Sequence, residues 1–348
     1  MRIGDKMKLQ RLEAVRGVAA VYVALGHSIS SKALILSFGQ EAVIVFFLLS
    51  GFVIEYSSAK TLDRGFKYYF QKRFIRIYSV LLCLFLVATL LEKPSITSLN
   101  FWKQLGGNLL MLQDFESGKP NVIVPTLFAS ALWSLHYEWW FYMFYFPIAT
   151  KLKREKQTFV VGITGMFAAI TYLIYPNAIS RLLFYFPIWW TGVVFARAYV
   201  QRNKVDWRNA VVPFVFLIGT SLILSIGCIQ HIIGGGRFTP GIHPFLELRH
   251  IIASLIIICA ALAWQKARWI GFKQILGWGC WVAPISYAIY ISHQPLFVDA
   301  HYLKGYINPI AEKLFYLLGL ILFSWATELW LYPKLKKTGY TAPLMVRH

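Results

Sequence analysis

The sequence predicts an all-α, polytopic membrane protein with about ten transmembrane helices and both termini cytoplasmic. Three observations lead there. Of its 348 residues 57% are hydrophobic and only 14% charged, whereas soluble domains run near one-quarter charged. Apolar runs of about 20 residues, each enough to cross a hydrocarbon core, recur along the whole length. Lys and Arg gather in alternate gaps between those runs, as expected of loops kept on the cytoplasmic side.

The expected spans lie at roughly 13–31, 38–57, 74–91, 126–149, 158–175, 181–199, 210–228, 245–264, 278–298 and 311–332. No room is left for a separate soluble domain, so residues 1–348 read as one integral-membrane domain. With the N-terminus inside, the inner segments are Arg2 to Arg11, Lys60 to Arg76, Lys151 to Lys156, Arg197 to Arg208, Lys266 to Lys273 and Lys334 to Arg347. They carry about 25 of the 35 basic residues. The outer loops carry Lys32, Lys93, Lys103, Lys119, Arg181, Arg237 and Lys304, with Arg249 and Lys313 at helix starts. Shifting the count by one helix would scatter the basic loops over both sides.

The net charge of +20 would direct a soluble protein toward nucleic acid. Here it reports topology, so the expected partner is the lipid bilayer and not nucleic acid. Cys83, Cys228, Cys259 and Cys280 lie in or beside apolar stretches without CxxC spacing, and neither a metal nor a disulfide framework is expected. The N-terminal apolar run lacks a small-residue cleavage site and reads as a retained first helix. The longest outer loop, 92–125, contains Pro94, Gly106, Gly107, Gly118, Pro120, Pro125 and Trp102. It suits an extracytoplasmic cap or lid, or a mobile connector. No internal repeat is visible.

Polar and ionisable residues within spans are costly and therefore mark candidate chemistry. Arg16 and His27, eleven residues apart on the first span, lie about 16 Å apart along a helix and point the same way. A thioester donor could lay its phosphates near Arg16 and its acyl end toward His27. The imidazole could take a proton from an acceptor hydroxyl or carry the group itself. Alternatively Arg16 reaches head groups and His27 is a satisfied polar residue. Arg73 and Arg76 share a helix face, suited to gripping phosphates or to anchoring the helix inside. Glu138 sits in Trp133-Ser-Leu-His-Tyr-Glu138 before Trp139, Trp140, Phe141 and Tyr142. It could orient an imidazole, bind Arg16, or meet a sugar hydroxyl within this aromatic surround. Ser286, Tyr290 and His293 form one polar stripe on the ninth span, a pattern that can also simply join helices. Glu328 needs a cationic partner such as Arg16 or Arg73.

These segments together resemble acyltransferase family 3, a family of integral-membrane enzymes. Arg16-Gly-Val-Ala-Ala-Val-Tyr-Val-Ala-Leu-Gly-His27 is similar to the family's arginine, ten residues, histidine motif. Phe46-Phe-Leu-Leu-Ser-Gly-Phe52 resembles its second-helix segment, and Arg73-Phe-Ile-Arg76 its paired arginines. Trp133-Ser-Leu-His-Tyr-Glu138 with Phe141-Tyr142 and Ile285-Ser-Tyr-Ala-Ile-Tyr290 with His293 and Pro295 resemble its later blocks. The resemblance implies acyl-CoA, usually acetyl-CoA, as cytoplasmic donor and a surface polysaccharide or glycolipid as acceptor, in a bacterial inner membrane. By position His27 and Glu138 would be catalytic, and Arg16, Arg73 and Arg76 would bind the donor. Trp133, Ser134, Tyr142, Tyr290 and His293 are the candidates for substrate contact. Many relatives carry a second carboxylate where Trp139 stands, and some carry a fused hydrolase-like domain, so a stand-alone form is expected. A glycan or lipid-linked-sugar exporter is the competing expectation. The acyl group transferred, the acceptor and the oligomeric state are not legible.

Overall fold

The computed structural model of the chain describes residues 3–29 and 38–339. Arg2, Lys32 and Arg347 lie outside the described residues, as do the side chains of Lys6 and Lys8. The described chain is helical apart from two short strands and an isolated bridge. Long helices are α1 (Ile3–Ser28), α2 (Gly39–Ser58) and α3 (Gly65–Glu92), followed by the shorter α4 (Leu99–Leu109). Then come α5 (Trp133–Lys151), α6 (Arg154–Ile174), α7 (Ala178–Arg202), α8 (Trp207–Ile233) and α9 (Phe245–Lys266). The ninth expected span is broken. It comprises α10 (Phe272–Ile275), α11 (Gly279–Val282), a 3-10 turn at Ala283–Ile285, α12 (Ser286–His293) and a π turn at Gln294–Val298. The chain ends with α13 (Pro309–Trp325), a second π turn at Ala326–Leu331, and α14 (Tyr332–Gly339).

Helix starts follow local chemistry. Asn177 caps α7 by accepting from the Ser180 amide at 2.9 Å, Asp206 and Asn209 form a reciprocal cap on α8, and Asn308 precedes Pro309 at the start of α13. The fourth helix begins at Trp133 and not near 126. Pro125 has no amide proton to donate, and Asn108 holds the strand instead by donating to Pro125 O at 2.9 Å and accepting from the Leu127 amide at 3.0 Å.

Among the described residues, seven helices are long and apolar enough to cross a membrane: α2, α6, α7, α8, α9, the α3 segment and the α13–α14 segment. Three expected spans fall short of that measure, each for a chemical reason. The first carries Arg11, Glu13 and Arg16, α5 is crowded with Trp and Tyr around Glu138, and the ninth is interrupted. These three hold most of the candidate site residues. The protein is accordingly an all-α integral-membrane protein whose least apolar helices are its polar interior.

Close backbone approach sets the packing. A Cβ added at Gly51 of α2 would lie 2.0 Å from Trp189 O, and one at Gly192 of α7 would lie 2.1 Å from Leu48 O. The two helices touch through these glycines, as membrane helices do where small residues line a seam. Parallel direction follows from their pairs: Ser50 accepts from Trp189 Nε1 at 3.1 Å, and Glu55 meets Arg197 at 3.1 Å. On α5, Glu138 and Tyr145 meet the same two α2 residues, so α5 also runs parallel to α2. Against α3 it runs antiparallel, with Phe66 on Phe146 and Tyr78 on Trp139.

The segment between α3 and α5 is folded, with α4 packed on parallel strands β1 (Gln113–Asp114) and β2 (Val124–Pro125). Its anchor is a buried ionic clasp. Asp114 binds Lys119 Nζ at 2.8 Å and Arg181 Nε at 3.0 Å, and the Tyr137 hydroxyl donates to it at 2.6 Å. Arg181 also donates to Tyr172 OH at 3.0 Å, which donates to Glu247 at 2.6 Å. Lys119 and Arg181, expected as outer-loop charges, are buried instead, because each has a carboxylate or phenol to bond. Burial alone would raise the Asp114 carboxyl, but Lys119 and Arg181 beside it hold it well below the usual carboxylate range.

Two outcomes follow from this packing. Gly192→Leu forces α2 and α7 apart and is expected to cost at least about 1–3 kcal/mol, read as a lowered melting temperature of the detergent-solubilised protein; an unchanged melt would contradict the seam. Asp114→Asn strands two buried cations and is expected to cost about 3–5 kcal/mol. With its folded pKa depressed, Asp114 contributes stability in full above its unfolded pKa of about 4 and loses it as pH falls through the folded value. Wild type should therefore show an acid-dependent loss of stability that the variant lacks in a pH series of melts.

Candidate functional site

The site is assembled where α1 lies beside the broken ninth segment. A Cβ at Gly17 would fall 2.1 Å from Gly279 O, and one at Gly279 would fall 2.1 Å from Ala14 O, so the two backbones touch. From that contact both chains run in the same direction. Arg16 donates through Nε to Ser286 Oγ at 3.2 Å and through a terminal nitrogen to Ala283 O at 3.0 Å. Further along, His27 Nδ1 meets His293 Nε2 at 2.8 Å, with the rings 7° from parallel. Both expected residues of the first motif thus face one helix, at two levels. His27 is exposed, whereas His293 is fully buried.

The break after α11 explains the lower level. The 3-10 turn at Ala283–Ile285 frees Ala283 O from a regular α-helical bond, and a cation takes it. At the upper level α12 runs antiparallel to the start of α5. Tyr290 OH bonds Ser134 Oγ at 2.8 Å, and Gln294 Oε1 accepts from the Ala131 amide at 2.9 Å. The hydroxyls of Tyr290 and Ser134 are thus engaged with each other, in a buried setting. Trp133 is buried too, stacked 6° from parallel on His250 and capped by Lys119 Nζ 3.8 Å above its ring.

Glu138 lies one helical turn beyond Ser134. Antiparallel register therefore puts it level with Ser286 and Arg16, about 6 Å along the axis from Ser134 and away from the histidine pair. Its Oε1 accepts from Ser50 Oγ at 2.8 Å and from the Tyr142 hydroxyl, while Ser50 and Tyr142 are 3.0 Å apart. Arg16 feels the charges of Glu138, Arg76 and Glu328. The imidazole partner that Glu138 was one candidate to be is His293.

The paired arginines divide their work. Arg76 forms an ion pair with Glu328 on the second π turn and lies over the rings of Tyr287 and Tyr332. Glu328 therefore has its cation, and it is Arg76, not Arg16 or Arg73. Arg73 is 7% exposed, donates to Ser57 and Ser58 hydroxyls, and packs over Tyr69 and Tyr142. Among the described residues no carboxylate comes within ion-pair distance of it, and its Nε has no hydrogen-bond partner.

Ser50 and Gln294 were not singled out from sequence, although Ser50 stands inside the Phe46–Phe52 segment as its one hydroxyl. Asp114 was also missed. It is one of only 15 acids in the chain, and a lysine five residues on was the available signal.

The family described as an acyltransferase domain (Acyl_transf_3) matches residues 9–329. Acyltransferase MdmB of Streptomyces mycarofaciens is 35% identical over 125 residues, which is 35% of this chain and 31% of that protein. The chain thus spans about a third of the length of this curated relative. No solved structure matches the chain. The domain match takes in every motif from Arg16 to Glu328, and the chain therefore belongs to acyltransferase family 3.

Proposed function

We propose that this acyltransferase moves an acyl group, acetyl foremost, from cytoplasmic acyl-CoA to a hydroxyl of a surface polysaccharide or glycolipid, within a bacterial inner membrane. In this reading the chain crosses ten times with both termini cytoplasmic and the segment 92–125 forms an extracytoplasmic cap. Alternating helix directions support that count: α1 runs with the ninth segment, and α2 runs with α5 and α7 but α3 against α5. The observation that carries the chemistry is that one broken helix holds both Arg16 and His27, at separate levels, with no carboxylate within ion-pair distance of Arg73 among the described residues.

The donor's phosphates would neutralise Arg73, a buried cation that is costly without an anion. Its thioester would extend past Arg16 toward His27. There the imidazole takes the proton of the acceptor hydroxyl while that oxygen bonds to the thioester carbonyl carbon. The carbon–sulfur bond then breaks, and the thiolate leaves with a proton as CoA. Glu138, tied to Ser50 and Tyr142, supplies a fixed negative wall beside Arg16.

Acyl transfer from acetyl-CoA to membrane glycan, followed with a radiolabelled acetyl group, tests the reading. His27→Ala is expected to lose about 10²–10⁴-fold in rate, and Glu138→Gln to lose activity as well. Normal transfer by purified His27→Ala protein would refute the proposal. Arg73→Ala should raise KM for acetyl-CoA about tenfold to a hundredfold, the worth of hydrogen bonds to a charged group, with Arg73→Lys in between; an unchanged KM would return Arg73 to an anchoring role.

A further inference from the structure

We propose that His293 is the positioning residue that decides which nitrogen of His27 reacts, by fixing the tautomer of both rings. The inference rests on acyl transfer at His27 and adds to it a named atom, Nε2.

The argument begins at the buried ring. His293 Nδ1 lies 2.8 Å from Tyr290 O and 3.3 Å from Ile289 O. A carbonyl oxygen has no proton to give, so Nδ1 must carry one. In the neutral ring Nε2 is then a bare lone pair, and it faces His27 Nδ1 at 2.8 Å. Two lone pairs would repel at that distance, so His27 Nδ1 donates. His27 Nε2 is thereby left as the lone pair of that ring, with no hydrogen-bond partner among the described residues.

The same geometry controls where an added proton goes. Two protons cannot share the 2.8 Å line between the rings, so the pair accepts one proton at a time. Placed on His293, the charge would sit in a fully buried ring whose other nitrogen meets only backbone carbonyls. Placed on His27 Nε2, it sits on the exposed ring and leaves every other bond in place. Among the described residues Asp299 is the carboxylate whose charge reaches His27, and Tyr290 is the titratable neighbour of His293, 6.4 Å away by ring centroids. Neither bonds to the pair through its side chain. The carbonyls of α12 thus do for His27, through His293, what a carboxylate does for a serine-protease histidine.

His293 is itself held still. Tyr290, one turn back, donates to Ala131 O at 3.0 Å, and Gln294 Nε2, the next residue's amide, donates to Ser130 Oγ at 2.9 Å. The ring meets His27 through its Nε2 edge and is fully buried, which places it behind the reacting group and not among substrate contacts.

The test uses membrane vesicles from expressing cells, which contain the endogenous acceptor, with acetyl-CoA as the probe and release of free CoA as the readout. His293→Phe keeps the ring volume and removes the acceptor. Its kcat should fall about a hundredfold or more, with KM for acetyl-CoA within about twofold of wild type. His293→Gln restores an oxygen able to accept from His27 Nδ1 and should recover at least tenfold of the loss. In a His27→Ala background His293→Phe should change nothing further, because it acts only through His27. A wild-type kcat in His293→Phe, a Gln variant no better than Phe when both elute as folded protein, or additive losses in the double variant would each overturn the role. A wild type no more active than His27→Ala would instead overturn the acyl-transfer reading on which the role depends.

Discussion

The contact between Gly17 and Gly279 governs the interior of this protein. With no Cβ on either residue, α1 and the broken segment approach until backbone meets backbone. That approach sets their register, and the register decides which polar groups meet. Arg16 arrives at the 3-10 turn, where Ala283 O accepts from it as well as from Ser286, and His27 arrives at His293. A larger residue at either glycine would separate both pairs at once. In hydrocarbon each stranded group would lack even water as a substitute partner.

Irregular backbone recurs beside three of the polar contacts of this interior. The 3-10 turn supplies a carbonyl to Arg16, one π turn follows His293, and another carries Glu328 to Arg76. A regular helix turns its carbonyls along its own axis toward the next turn, which leaves them less accessible to side chains of a neighbouring helix. Breaking the ladder is tolerated here because the freed groups are buried in protein and re-bonded. The same need for partners explains the clasp around Asp114, where two carboxylates and two cations from β1, the loop after it, α7 and α9 balance one another. Its effect is to tie the segment before α5 to α7, so that Trp133 and Ser134 begin α5 in a defined place against α12.

The spans and the site were not equally legible. Apolar runs place α2 and α6 to α9 within a few residues of their ends, since burial in lipid demands length and hydropathy. The starting point of α5 was misplaced by several residues, because Pro125 and Asn108 act through a contact between segments. Arg16 and His27 were found by helix periodicity, which is intrinsic to a single helix. Ser50 beside Glu138 and Arg76 beside Glu328 were not, since each comes from another helix, whereas Tyr142 lies four residues beyond Glu138 on α5 itself.

Sequence alone determined that this chain is a helical membrane protein, which residues on each helix face are polar, and which family those residues resemble. These are properties of composition and of periodicity along one strand of chain. Only the tertiary structure decided that Lys119 and Arg181 are buried, that Arg73, like Arg16, has no carboxylate within ion-pair distance among the described residues, and that His27 Nδ1 meets His293 Nε2. Each of those depends on distances between helices, and it was the small-residue seams, invisible as such to periodicity, that set them.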